Sequence, residues 1–424
     1  MLEERILVSG CEGEEEGFDT QLLYFTCSSL SNDDKRLYVI SNSDGHPNVY
    51  VKDLTTGKET RLTDNRQGTL KSYVYFDGQP GKGLGKASVC LDSVRDVIYY
   101  IQDDHICKVG LDAKPVVLNH VPDGRTTAFT HVSNDGTKLC VPMTDGRALD
   151  YDPETEGYGL DRRPVYDIDG RVQEEQLSSY LCVYDTLSGA LLYEKEVPLC
   201  WITHVQFNPV NPDIIMFNHE WPCADCGIRR IWLYDHRSDS IRRVRSEGAD
   251  TLGDTAGHVR SASDWVCHEM WSADGSTIIY HGGYANGPAM VGKYELDRDR
   301  CWEIALPDDY NAYGHFTIDQ QQNLCCDGYF KYPEDIKTVR ENSTDNGPDP
   351  HRKDGEYISR VVPHWNEGRL EWIPLCKHRS DWLGQDAHPH PIYSHDGHTI
   401  YFNSRSGKYV KVYKTIVLSD EDSL

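Results

Sequence analysis

Ser272-Ala-Asp-Gly-Ser-Thr-Ile-Ile-Tyr280 is a polar turn built on Asp-Gly, followed by a run of β-branched and aromatic residues. The Asp-Gly pair suits a tight reversal, and the run after it suits a half-buried strand. The pattern recurs upstream as Ser31-Asn-Asp-Asp-Lys-Arg-Leu-Tyr-Val-Ile40, Ser93-Val-Arg-Asp-Val-Ile-Tyr-Tyr100 and Ser133-Asn-Asp-Gly-Thr-Lys-Leu-Cys-Val141. Asn208-Pro-Val-Asn-Pro-Asp-Ile-Ile-Met-Phe217 is a fourth upstream copy. Downstream lie a degraded copy, Asp319-Gln-Gln-Gln-Asn-Leu-Cys325, and Ser394-His-Asp-Gly-His-Thr-Ile-Tyr-Phe402. Most of the seven copies are followed by a second turn and another strand, such as Val49–Leu54, Ile231–Asp235 and Val291–Leu296. Strand, turn, strand, turn, strand and polar hairpin make an antiparallel sheet, and its repetition at about 40 residues or more marks a β-propeller blade. Seven copies predict an all-β, seven-bladed β-propeller. Two separate sandwiches are the alternative, but no linker-like break in composition supports them.

The expected organisation is one domain over residues 1–424. Arg5-Ile-Leu-Val-Ser9 is expected to pair into the last blade and close the ring. Asp145–Gln176, Ser246–Asp264 and Tyr332–Glu356 are rich in Asp, Gly, Arg and Pro and read as loop insertions. No amphipathic helix is evident in the pattern.

The 424 residues carry 43 basic and 68 acidic side chains, a net charge of -25 that argues against a nucleic-acid binder working through a basic face. No apolar run approaches the roughly 20 residues of a membrane-spanning helix. Met1–Asp19 is acidic and lacks the stages of a signal peptide, so a cytoplasmic location is expected. In that setting the 14 Cys read as reduced thiols, mostly buried as small hydrophobes. Cys223 and Cys226 form a CxxC, but no second pair follows at the spacing a zinc knuckle needs.

The innermost strand of a blade lines the central channel, so the residues just ahead of each turn motif are the candidates for chemistry. His204, His268, His315 and the pair His388 and His390 occupy matching places in four consecutive blades. The densest piece is Gln385-Asp-Ala-His-Pro-His-Pro391. In a strand, residues two apart share a face, so His388 and His390 can reach one ion together. With His315 and Gln385 they make a nitrogen and oxygen set without thiolate, which favours a divalent ion such as manganese over a structural zinc. The competing reading is a solvated loop without a ligand. His268, in Val266-Cys-His-Glu-Met-Trp271, can act as a neutral base or sit in the core bonded to a carbonyl. Of Arg229 and Arg230, one can reach a carboxylate bidentately. His219, in Asn218-His-Glu-Trp-Pro222, either lines the same mouth or serves the fold.

Those residues carry a resemblance. The chain resembles the oligogalacturonate lyase family, seven-bladed propeller enzymes that cleave short pectin fragments by β-elimination. The likeness runs from about Arg61 onward and is strongest in Trp201–His204, His219–Pro222, Arg230–Trp232, Cys267–Trp271, Gly314–Phe316 and Gln385–Pro391. It implies a manganese ion held by His315, Gln385, His388 and His390. It implies His268 as the base, Arg230 as the contact to substrate, and His204 and His219 as residues that orient the sugar. The implied substrate is a short anionic uronide and the product a 4,5-unsaturated uronate. The family's His-Arg pair on the first innermost strand is replaced here by Gln21-Leu22, which removes a cation. A non-catalytic interaction scaffold is the alternative from another class, since propellers often serve that way. A metal-dependent hydrolase or isomerase would use Glu220, Glu269 or Asp386.

Overall fold

The computed structural model describes residues 5–6, 17–67, 84–149, 168–220, 230–245, 264–284, 288–306, 314–328, 357–380, 387–405 and 407–417. Within them the chain folds into seven antiparallel sheets, the blades of a seven-bladed β-propeller. The first sheet runs Thr20–Leu22, Arg36–Ser41, Asn48–Asp53 and Glu59–Arg61. The fifth runs Trp265–Trp271, Thr277–Gly283, Ala289–Glu295 and Arg300–Ala305. The sixth comprises Phe316–Ile318, Leu324–Cys326, Tyr357–His364 and Arg369–Lys377. In the last sheet Arg5–Ile6 pairs antiparallel with the outer strand Lys411–Ile416.

Each repeated turn joins the first two strands of its blade, and its polar residues have a defined task. The Ser272 hydroxyl donates to Asp274 at 2.7 Å and accepts the Thr277 amide at 3.1 Å. Ser133 with Asp135, and Ser394 with Asp396, repeat the first bond at 2.6 Å. Gly136, Gly275 and Gly397 follow with φ of 69°, 68° and 76°, the left-handed region glycine enters without steric cost. Asp34 and Gln322 take that place in two other copies, at φ 55° and 66°.

The chain forms two compact units, Phe18–Trp265 and Val266–Leu424 with Met1–Gly17. In the first, Leu23, Tyr38 and Ile40 of one blade pack on Val89, Ile98 and Tyr100 of the next, and Cys140 and Val183 pack on Phe207 and Phe217. In the second, Ile279 and Val291 pack on Phe316 and Leu324, while Cys325 and Ile358 pack on Ile400 and Phe402. Face-to-face burial of this kind suits the near-continuous apolar strands, because a blade is covered on both sides. None of the described cysteines forms a disulfide, and most are buried. Burial pushes the Cys107 thiol up to about 11, so it stays protonated and packs as a small apolar group.

Two sequence expectations need correction. A short α-helix, Ile168–Glu174, lies in the stretch read as a loop insertion, with Ile168, Asp169 and Val172 buried. Its seven residues are too few to show a helical period against the Asp- and Gly-rich sequence around them. His388 and Pro389 do not belong to a strand either; the strand begins only at Ile392. Residues 332–356 and 246–263, and Cys223 and Cys226, lie outside the described residues. No described helix is long and apolar enough to cross a membrane.

Candidate metal centre and its surroundings

In the Val266–Leu424 unit, His315, His388 and His390 each offer a ring nitrogen, and the three nitrogens lie within 4.8 Å of one another. The ring centroids of His315 and His390 are 4.0 Å apart, and those of His315 and His388 5.2 Å. This convergence does not come from strand alternation. His390 has φ 45°, in the left-handed region a side chain with a Cβ rarely adopts, at a cost of about 1–3 kcal/mol. The segment is tied down instead: the Asn403 amide donates to the Pro389 carbonyl at 2.8 Å, and the Thr317 hydroxyl to the Pro391 carbonyl at 2.7 Å.

One carboxylate organises the centre. Asp327, fully buried, accepts the His315 backbone amide at 2.6 Å, the His390 backbone amide at 3.0 Å and His315 Nδ1 at 2.8 Å. Burial works to raise its carboxyl, but the N–H groups of His315 directed at it prevail and hold it below the usual carboxylate range. An ionised Asp327 only accepts, so His315 Nδ1 carries the proton and Nε2 is left as the ligand atom. That is the carboxylate–histidine arrangement that orients metal ligands. Three convergent imidazoles, one backed by a buried carboxylate, fit a divalent ion of intermediate hardness. Gln385 lies outside the described residues.

His268 adjoins this group, with its ring centroid 4.4 Å from that of His315. It sits within the strand Trp265–Trp271 yet has φ 54°, so the ordinary alternation breaks there. Its Nδ1 lies 3.0 Å from the Gly314 carbonyl and 2.6 Å from His281 Nε2. A carbonyl can only accept, so Nδ1 bears the proton and Nε2 keeps a lone pair, the tautomer of a base. Gly314 reaches this place because it has no side chain: a Cβ there would sit 2.5 Å from Gly328 backbone.

The Phe18–Trp265 unit holds a different cluster. Arg230, 4% exposed, donates through Nη1 to Glu220 Oε1 at 2.6 Å and lies 3.3 Å from His204 Nδ1 through Nη2. Arginine has no acceptor, so His204 Nδ1 accepts and the ring is the Nε2–H tautomer. Thr203 donates to Glu220 Oε2 at 2.7 Å. Burial works against ionising Glu220, but the Arg230 guanidinium beside it holds its carboxyl below the ordinary range. His219 is buried with Nε2 2.7 Å from Asp169 of the short helix. Its imidazole is raised to about 10: burial pulls it down, and the Cys200 sulfur and Asp169 more than offset that. Gln21, on the first innermost strand, is completely buried, and its side chain makes no hydrogen bond among the described residues.

Sequence reasoning therefore found the imidazoles but missed Asp327, Asp169 and the partner of His268, His281. Asp327 offered one signal: an acid directly after the apolar strand Leu324–Cys326, where a buried carboxylate requires a partner.

Fold and site together define a seven-bladed β-propeller protein with a buried histidine centre of metal-binding type. No family model matches the chain. An oligogalacturonate lyase of Dickeya dadantii (strain 3937) is 22% identical over 397 residues, spanning 90% of this chain and 86% of that protein. An oligogalacturonide lyase of Pectobacterium atrosepticum is 23% identical over 265 residues, spanning 61% of this chain and only 56% of that protein. A solved oligogalacturonate lyase in complex with manganese superposes with a TM-score of 0.70 at 17% identity, covering 99% of this chain and 98% of that one. The oligogalacturonate lyase of Vibrio parahaemolyticus gives 0.69 at 17% identity, over 99% and 97%. The chain is thus similar in sequence to two oligogalacturonate lyases and shares the fold of two solved ones.

Proposed function

We propose that this protein is a manganese-dependent lyase that cleaves short oligogalacturonates by β-elimination. The observation that carries the reading is the pairing of a three-imidazole centre with an adjacent imidazole in the tautomer of a base. His315, His388 and His390 would hold the ion, with Gln385 as the fourth ligand of the proposal. Bound there, manganese would neutralise the uronate carboxylate and so lower the cost of removing the proton beside it.

His268 takes the proton from carbon five through Nε2, while the Gly314 carbonyl holds the proton on Nδ1 and steadies the imidazolium that forms. The electron pair left on carbon five becomes the carbon four–carbon five double bond as the bond from carbon four to oxygen breaks. The leaving oxygen takes up a proton, giving a shortened sugar and a 4,5-unsaturated uronate. The left-handed backbone at His268 and His390 fits this assignment, because strain of that kind collects where a side chain must be aimed against its local preference.

Arg230 is assigned to a substrate carboxylate; Glu220 at Nη1 and His204 at Nη2 fix its guanidinium in place, so it is a positioned rather than a mobile cation. His204, braced by Arg230, orients the sugar. For His219 the proposal is narrower: its Nε2 is committed to Asp169, so it acts on the sugar only by positioning the helix Ile168–Glu174. The net charge of -25 does not bar an anionic substrate, since screening confines distant charges to a Debye length of about 8 Å at physiological salt.

The test is incubation of manganese-loaded protein with a panel of short uronides, following the ultraviolet absorbance of the conjugated double bond. A rise with oligogalacturonates supports the reading. Manganese-loaded protein that leaves every uronide intact sinks it.

A further inference from the structure

Cys267 and His281 are not used by the mechanism, yet both are buried beside its base. Cys267 Sγ lies 3.1 Å from His281 Nε2 and 3.6 Å from His268 Nδ1, and the two ring nitrogens are 2.6 Å apart. Cys267 and His281 are 3% and 1% exposed. Adjacent strand residues ordinarily face opposite ways. The left-handed turn of the backbone at His268 brings Cys267 and His268 to the same side.

We propose that Cys267, His268 and His281 form a second metal site, selective for a thiophilic ion such as zinc, whose occupation shuts off the base. One thiolate and two imidazoles with a position left open are ligand types that zinc takes, whereas the thiolate-free centre at His315 suits a harder ion. Around a zinc ion with bonds of about 2.0–2.3 Å, ligand atoms stand roughly 3.3–3.7 Å apart. The two sulfur–nitrogen spacings are near that range, and the short nitrogen–nitrogen spacing opens by less than about 1 Å of ring movement.

Occupation changes the protonation of the trio in a definite way. The Cys267 thiol releases its proton to solvent and binds as thiolate. His281 binds through the Nε2 lone pair already directed at its neighbours. His268 must give up the proton on Nδ1, so the proton of its neutral ring moves to Nε2. That is the nitrogen on which the proposed elimination relies, and the Gly314 carbonyl loses its donor at the same time. Zinc at this site thus holds His268 in the wrong tautomer without displacing the ion at the other centre. The inhibition rests on the lyase reading; the binding does not.

The two claims separate in one series of measurements on the manganese-loaded protein. Titration with cobalt, as a coloured substitute for zinc, should add one equivalent with a sulfur-to-cobalt charge-transfer band in the near ultraviolet. Cys267→Ser and His281→Gln should each lose the band while retaining the manganese content of the parent. Relative to each protein's own zinc-free rate, zinc should slow the parent by about 100-fold, the scale of a lost general base, and leave Cys267→Ser within about twofold. Absence of the thiolate band in the parent overturns the site, and that observation needs no variant to fold. Zinc inhibition of equal depth in Cys267→Ser overturns the switch, since the ion would then be acting at the histidine centre. A parent that shows the band but cleaves no uronide upholds the second site and defeats the lyase reading instead.

Discussion

The Val266–Leu424 unit and the Phe18–Trp265 unit each bury imidazoles against a carboxylate, with opposite results. In the former, Asp327 binds one imidazole edge and two backbone amides, and the imidazole of His315 is turned toward His388 and His390. In the latter, Glu220 is matched directly by Arg230, and Asp169 by His219, so the charges are satisfied within the cluster. The first arrangement leaves several donors converging on one point; the second is a brace. The difference lies in what the carboxylate is given to hold, since a carboxylate facing a full cation is neutralised where it stands.

The largest effect should come from emptying the histidine centre. Chelation, His315→Ala or His390→Ala should abolish activity, and manganese should restore the chelated parent better than magnesium, as imidazole ligands disfavour a hard, oxygen-seeking ion. Equal recovery with magnesium would break the comparison at its strong end. His268→Ala should retain the metal and lose activity by about 100- to 10,000-fold. Recovery of that variant without metal, measured by atomic emission, would make His268 a ligand rather than the base.

The sharpest contrast is one chemical change made in both regions. Asp327→Asn should weaken manganese affinity by about 10- to 100-fold, the scale for a residue that orients a ligand, and also lower stability by about 1–3 kcal/mol, because its NH2 faces a buried N–H donor. Glu220→Gln should leave metal affinity alone and lower stability by about 1–3 kcal/mol, because it strips the charged partner from a buried guanidinium. Metal titration and thermal unfolding of the two variants read both effects. Equal metal loss in both would erase the distinction drawn between the regions.

A smaller effect follows from His219. Its pKa in the fold, about 10, lies above the ordinary histidine value of 6.5. The protonated form is therefore favoured by folding. The stabilisation is complete below about pH 6.5 and is lost as pH rises toward 10. Thermal midpoints measured across that window should fall more for the parent than for Asp169→Asn, which removes the Asp169 partner. Parallel curves would show that the His219–Asp169 contact contributes no pH-dependent stability.

Sequence alone determined the blade count and most of the imidazoles. The repeated turns at Ser133, Ser272 and Ser394 are local devices, in which a hydroxyl, a carboxylate and a left-handed glycine within a few residues complete their own bonds. Their spacing is therefore readable without knowledge of the rest of the chain. Tertiary structure decided what those imidazoles face. His388 and His390 converge through a segment outside any strand, with a left-handed residue that no alternation rule anticipates. Asp327 reaches across 63 residues to the His390 amide, and His268 across 46 to the Gly314 carbonyl. Such contacts depend on how blades stack face to face, and burial at that depth allows each polar group only the partners that packing supplies.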